Sequence, residues 1–229
     1  MVYHQLAKQN RRKSSRGTAI MEFAIVMTIM IPLFCGMALV GLSSTTGIQA
    51  AQTTRDIGHM YSLGIDFSAA TTNDEEAANV AMPLPLTATG SGVTVLTQVK
   101  EVTPADCTAQ GLSNCANTTS ATLADRQVII QRVVLGNTSL LASRVGTPPT
   151  TYTPNGATQS TATMNAQGNV APNAYLTKTA LRATNANKLP AVPAGIPVYV
   201  AESYFQLPAL SFLSNFGTTI NGVYTVCYF

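Results

Sequence analysis

From Thr18 to Leu42 the chain reads TAIMEFAIVMTIMIPLFCGMALVGL, an apolar run whose single charge is Glu22. As an α-helix rising ~1.5 Å per residue it is roughly 37 Å long, enough to cross a ~30 Å hydrocarbon core. Buried helices of soluble proteins rarely run so far without charge. Pro32 inside the run would disrupt a soluble helix, whereas a membrane helix tolerates it.

Basic residues stand on one side of this segment only. Lys8, Arg11, Arg12, Lys13 and Arg16 precede it with no acid among them, while the rest of the chain holds eight Lys/Arg against ten Asp/Glu, a balance of −2. The formal charge of +3 is therefore a property of the N-terminus. Lys and Arg beside a span stay on the cytoplasmic side. Arg11, Arg12, Lys13 and Arg16 thus predict a cytoplasmic leader over 1–17, one transmembrane helix over 18–42, and everything beyond it outside the cytoplasm. The expected location is the inner (cytoplasmic) membrane. No basic surface is left for nucleic acid, so no nucleic-acid partner is expected. A cleavable secretory signal has an apolar part of only ~7–15 residues before a small-residue cleavage site. This run is far longer, and no clear A-x-A site closes it.

Glu22 requires a reason. A carboxylate near the centre of a membrane helix costs ~2.5–3.5 kcal/mol on insertion scales, which makes such a residue a functional candidate. The bland alternative is a Glu22 that sits at the headgroup boundary and stays wet. The run Arg16-Gly17-Thr18-Ala19-Ile20-Met21-Glu22-Phe23 resembles the class III signal of type IV pilin-like proteins. In those proteins a prepilin peptidase cuts after a glycine and a glutamate stands fifth in the mature chain. Cutting after Gly17 would make Thr18 the first residue and Glu22 the fifth, followed by Phe23 and the apolar helix. RGTAIMEFA with a Pro-containing helix is similar, more specifically, to the TadE/TadG-like pseudopilins of the tight-adherence (Tad/Flp) pilus machinery. The small-residue stretch Gln49–His59, with Arg55, and the C-terminal Val198–Tyr204 and Gly222–Phe229 also resemble that family.

The resemblance implies a minor pilin or pseudopilin that takes part in assembling a Tad-type pilus or related secretion apparatus. Its partners would be the membrane, a prepilin peptidase, other pilin-like subunits and the assembly platform. It also implies that Glu22 neutralises the terminal amine of a neighbouring subunit. Two other readings stay open. A plain single-span envelope protein, whose outer domain binds a ligand or surface, needs hydrophobicity but neither Gly17 nor Glu22. A secreted enzyme would exist as a soluble form without the apolar run.

Beyond the span, Ala50, Thr54, Ile57, Met60 or Tyr61, and Gly64 recur at helical spacing, which predicts a helix continuing over 43–64. Gly64 is its stop signal. The stripe is expected to pack on the chain's own outer domain. Asn73–Ala81 reads as a short helix with Asp74, Glu75 and Glu76 at its start. Four strands are predicted at Val93–Val102, Arg126–Leu135, Pro197–Leu207 and Val223–Phe229. Two hairpins forming a small antiparallel sheet against the helix would make residues 65–229 an α+β domain. Between about 147 and 190 the composition turns to Thr, Asn, Ala, Gln, Gly and Pro without an apolar period, and a long polar loop insertion is expected.

Cys107 and Cys115 bracket the turn-rich TAQGLSN, and outside the cytoplasm they are expected to form a local disulfide. Cys35 lies in the span and Cys227 near the C-terminus, neither with an obvious partner. No CxxC, paired histidines, P-loop, GxGxxG, HExxH or GxSxG is present, so no metal, no cofactor and no enzymatic activity are predicted.

Overall fold

The computed structural model describes residues 2–67, 84, 86–146, 165, 168–183, 189, 192–207 and 222–229, with side chains from Gly17 onward. The chain divides into two compact units, Met1–Thr45 and Thr46–Phe229, and the boundary falls inside one helix.

That helix, α1, runs Val2–Ser62 with Pro32 inside it. It begins earlier than the apolar run because nothing in the leader breaks a helix, and the basic residues there favour one. Hydroxyls along this helix bond to its own carbonyls one turn back. Thr28 donates to the Ala24 carbonyl at 2.8 Å, and Thr45 to the Gly41 carbonyl at 3.0 Å. At its far end α1 stops in a Schellman motif. Gly64 adopts φ +88°, its N–H donates to the Tyr61 carbonyl (3.0 Å), and the Ile65 N–H donates to the Met60 carbonyl (3.2 Å). Only glycine takes that left-handed conformation without strain, which is why the helix ends there.

The second unit is built on a four-stranded, wholly antiparallel sheet in the order β2-β1-β3-β4. The strands are β1 Gly92–Glu101, β2 Gln127–Gly136, β3 Val198–Gln206 and β4 Gly222–Tyr228. β1 pairs with β2 and β3 with β4, and the two pairs join through β1 and β3, with Leu96 opposite Ala201. A register shift lies between Gln98 and Val99. The fold is therefore α+β, a long N-terminal helix with a small antiparallel sheet.

Residues 46–62 of α1 cover one face of the sheet. Ala50, Ile57 and Tyr61 are buried in one cluster with Leu96, Val133, Leu135, Ala201 and Phe205. The other face is covered in patches. Val93, Val95 and Val134 pack with Leu140 and Leu141, while Val99, Ile129, Val198 and Val200 pack with Val145, Ala183 and Val192. Burial on both faces explains why β2, QVIIQRVVLG, places Val, Ile and Leu at consecutive positions rather than in strict alternation.

One expectation is corrected. The polar stretch over 147–190 is not a loop throughout. Residues 168–183 include a short helix at Pro172–Thr177 and a 3₁₀ turn at Thr179–Leu181. Val170, Ala174, Leu176 and Leu181 are buried there. These few apolar residues lack a helical or strand period, yet each fills a place beside β2, so tertiary packing overrides the polar composition. The expected helix at 73–81 and most of the remaining insertion lie outside the described residues.

Candidate functional site

Gly17, Thr18, Glu22 and Phe23 follow one another along α1, and all four are exposed. A side chain at Gly17 would meet nothing within 4 Å. From this point the apolar residues face outward on every side of the helix: Ile20 is 70 % exposed, Phe23 62 %, Ile29 64 % and Phe34 73 %. The segment is long and apolar enough to cross a membrane, and none of it is buried by the chain. Arg11, Arg12, Lys13 and Arg16 lie on the preceding backbone of α1, and their side chains are outside the described residues.

The small-residue stretch has a different role. Gly58 faces β3 and the C-terminus so closely that a Cβ there would run into the Phe229 ring and come within 2.8 Å of the Ala201 Cβ. One helical turn before, the buried hydroxyl of Thr54 bonds to the Ala50 carbonyl at 2.7 Å and meets the Thr225 hydroxyl of β4. Tyr61 donates to Gln131 Oε1 at 2.9 Å and stands edge-on to Tyr199, ring centroids 5.3 Å apart. Burial, reinforced by the neighbouring Tyr199, pushes the Tyr61 phenol well above its usual range.

Cys107 and Cys115 are joined in a disulfide, with their Cα atoms 6.1 Å apart. Cys107 lies on a short helix, Pro104–Ala109, whose start is fixed by a capping box. Thr103 N–H donates to Asp106 Oδ2 (2.7 Å), and Lys100 adds an ion pair to the same carboxylate (3.1 Å). Cys35 is exposed in the apolar segment and Cys227 is half-buried, where burial pushes its thiol pKa up.

Sequence reasoning missed a buried polar clamp on the sheet face away from α1. Glu202, fully buried in β3, accepts from the Arg144 N–H (2.9 Å), the Tyr224 hydroxyl (2.7 Å) and the Ser143 hydroxyl. Arg132 of β2 donates to Ser143 Oγ (3.0 Å), Thr97 Oγ1 (3.0 Å) and the Gly146 carbonyl. Burial lowers the Arg132 pKa to about 10, against the opposing pull of Glu202, so the guanidinium stays charged at neutral pH. The Arg144 guanidinium lies 4.2 Å above the Tyr224 ring. Burial and the bond to Glu202 together hold the Tyr224 phenol above its usual range. The Arg132 backbone N–H also donates to the Gly168 carbonyl at 3.0 Å. One residue thus fastens both the strap ending at Gly146 and the strand-like segment at Gly168. The signal for this clamp was present as one charge in the middle of each apolar strand, Arg132 in VIIQRVVL and Glu202 in VYVAESYF.

A hollow of 170 Å³ lies at the end of α1, lined by Tyr61, Asp66, Gln98, Gln131, Asn169 and Tyr199 among others. It brings together a single carboxylate and three amides, without a cysteine, histidine or second carboxylate. Among the described residues no group of three His, Cys, Asp or Glu could hold a metal ion. The geometry available is that of a helix with one bare apolar segment and one docked segment. In comparisons with protein-family models, curated proteins and solved structures, the chain matches none.

Proposed function

We propose that the chain is a minor pilin or pseudopilin subunit, resembling the TadE/TadG-like family, that is processed by a prepilin peptidase after Gly17 and then takes part in pilus or secretion-apparatus assembly. The observation that carries this reading is the position of the Gly17-to-Glu22 interval. It stands at the start of an apolar helical segment that the chain itself leaves uncovered. Such a surface needs lipid or other apolar helices around it. A plain anchor would need the hydrophobicity but not the interval.

The role of Glu22 follows from helix geometry. Cleavage would create an α-amine at Thr18, and Glu22 lies one turn further on the same side of the helix. Side chains on a helix tilt toward its N-terminus, so the carboxylate leans toward the level of that amine. There it neutralises the amine of its own chain or of a neighbouring helix at the same depth. Either pairing offsets the cost of an isolated charge in low dielectric.

The test is the mature N-terminus, read by mass spectrometry on protein from its native membrane. The expected terminus is Thr18, lost in Gly17→Ala. An intact Met1 terminus would reduce the chain to a plain anchored protein, and one beyond Leu42 would mean a released domain. Glu22→Ala should leave the protein inserted and cleaved but poorly incorporated. Normal incorporation of that variant would overturn the role given to Glu22.

A further inference from the structure

Four residues stand opposite one another in a line across the sheet: Asn169, Gln131, Gln98 and Tyr199. One row earlier on the same face Val133, Leu96 and Ala201 are apolar, and residues 46–62 of α1 cover them. α1 ends in the turn at Gly64, and the next row is left partly open. Its three amides and its phenol line the 170 Å³ hollow together with Tyr61 and Asp66. Gln98, Gln131 and Tyr199 are half-buried, while Asn169 and Asp66 are exposed. The row is within reach of a solute and sheltered on one side by the end of the helix.

The row is also held in place. The buried Tyr61 donates to Gln131 Oε1 at 2.9 Å, which fixes that amide by its oxygen, and its ring stands edge-on to Tyr199. Asn169 is positioned through its backbone, whose N–H donates to Asn165 Oδ1 and whose carbonyl accepts from the Asn165 N–H, both at 2.9 Å. The lining decides what can enter. It contains no Lys, Arg or His, so an anion would find no counter-charge. Its one carboxylate, Asp66, is exposed, where an ion pair with a cation is weak. A wholly apolar ligand would strip water from three amides without replacing their hydrogen bonds. What fits is an uncharged ligand rich in groups that both donate and accept.

We infer that this hollow binds one pyranose ring of a neutral sugar, its hydroxyls on Gln98, Gln131, Asn169 and Asp66 and its C–H surface on the Tyr199 ring. Each sugar hydroxyl donates and accepts, and each amide offers both a donor and an acceptor to meet it. The spacing agrees as well. Side chains on neighbouring strands stand ~4.8 Å apart, about the separation of two equatorial hydroxyls on alternate carbons of a pyranose. The volume sets the size, since a cavity of ~150 Å³ holds one six-membered ring, and 170 Å³ leaves no room for a second. A free monosaccharide and the end residue of a glycan present the same ring. The hollow lies wholly within residues 46–229, so the inference does not depend on processing after Gly17.

The test uses the full chain in a detergent without a sugar headgroup. It is mixed in turn with the methyl glycosides of glucose, galactose, mannose and N-acetylglucosamine, and magnetisation transferred from protein to sugar protons is read by NMR. The expected result is transfer to the ring protons of at least one glycoside, with a Kd on the order of millimolar for a ligand of this size. Gln98→Ala and Asn169→Ala should each weaken binding about fivefold to tenfold, as loss of one hydrogen bond predicts. Where Gln98→Ala lowers the unfolding midpoint, Asn169→Ala decides alone, because that side chain is exposed and its backbone bonds remain. Equal binding of the same sugar at the end of a trisaccharide would identify the source as a glycan, and exclusion of the trisaccharide would identify it as a free sugar. Transfer to none of the four glycosides, or transfer indifferent to both substitutions, overturns the inference. So does tighter binding of N-acetylglycinamide or ethylammonium than of every glycoside, which would assign the hollow to a peptide amide or to a cation.

Discussion

Residues 17–45 and 46–62 belong to one unbroken helix, yet the more apolar of the two is the one the chain leaves bare. Along the first, Ile20, Ile25, Ile29 and Met37 are each more than half exposed. Along the second, Ala50, Thr54 and Ile57 are completely buried and Tyr61 nearly so. Hydrophobicity alone therefore does not decide which part of α1 docks on the sheet. Size does much of it: Ala50, Thr54 and Gly58 form a low strip that lets the helix backbone approach β3 and β4, and Ile57 and Tyr61 flank it as the large apolar contacts. Long side chains such as Ile20, Phe23 and Phe34 would hold the two surfaces apart. They suit an environment that adapts to them, as lipid or another helix does.

The largest expected effect comes from removing the docked contact. Ile57→Ala deletes a fully buried side chain from the helix–sheet cluster, and such truncations cost about 2–5 kcal/mol. Ile29→Ala, in the bare segment, should leave the same measurement unchanged. Urea unfolding of the detergent-solubilised full chain, followed by tyrosine fluorescence, reads both. A similar loss for both variants would mean that the bare segment also stabilises the outer domain, and the distinction would fall.

A single substitution type sharpens the contrast. Gly58→Ala places a methyl group against the Phe229 ring and Ala201, and overpacking of this kind costs about 1–3 kcal/mol. That exceeds the ~1 kcal/mol that alanine gains over glycine in a helix, so the net change should be destabilising. At Gly41 nothing lies within 4 Å, and the same change should be neutral or slightly favourable for helicity. A stabilising Gly58→Ala would show that the close approach is not required.

How much of this was legible in the sequence varied with the physics involved. The strands were located to within about a residue, because each is a β-branched or aromatic run bounded by Gly, Pro or polar residues. The docking of the stripe through Ala50, Ile57 and Tyr61 was likewise visible as helical spacing. The strand order was not, since the pairing of β1 with β3 joins residues from the two ends of the outer domain, and no local pattern encodes it. The Arg132–Glu202 clamp was missed for a related reason. Each charge stands alone within an apolar strand, and only the fold puts Ser143 between them. Gly17 and Glu22 were legible as an interval, but the processing and pairing proposed for them involve other molecules, which a single chain does not contain.

The smallest effect tests whether packing or hydrogen bonding docks the second segment. Tyr61→Phe keeps the ring against Tyr199 and removes the bond to Gln131 Oε1. Gln131 lines the hollow at the end of α1, where water can take the place of the lost donor. The cost should therefore lie near the usual ~0.5–1.5 kcal/mol for one hydrogen bond, below that of Ile57→Ala. Alkali adds a second signature. Because burial raises the Tyr61 phenol above its ordinary value, the unfolded chain releases that proton first, and wild-type stability falls as pH rises through about 10. Phenylalanine has no proton to release, so the gap between the two proteins should narrow above that pH. If Tyr61→Phe instead costs more than Ile57→Ala at neutral pH, a polar tether rather than apolar fit holds the docked half, and the difference between the two halves of α1 would need another cause.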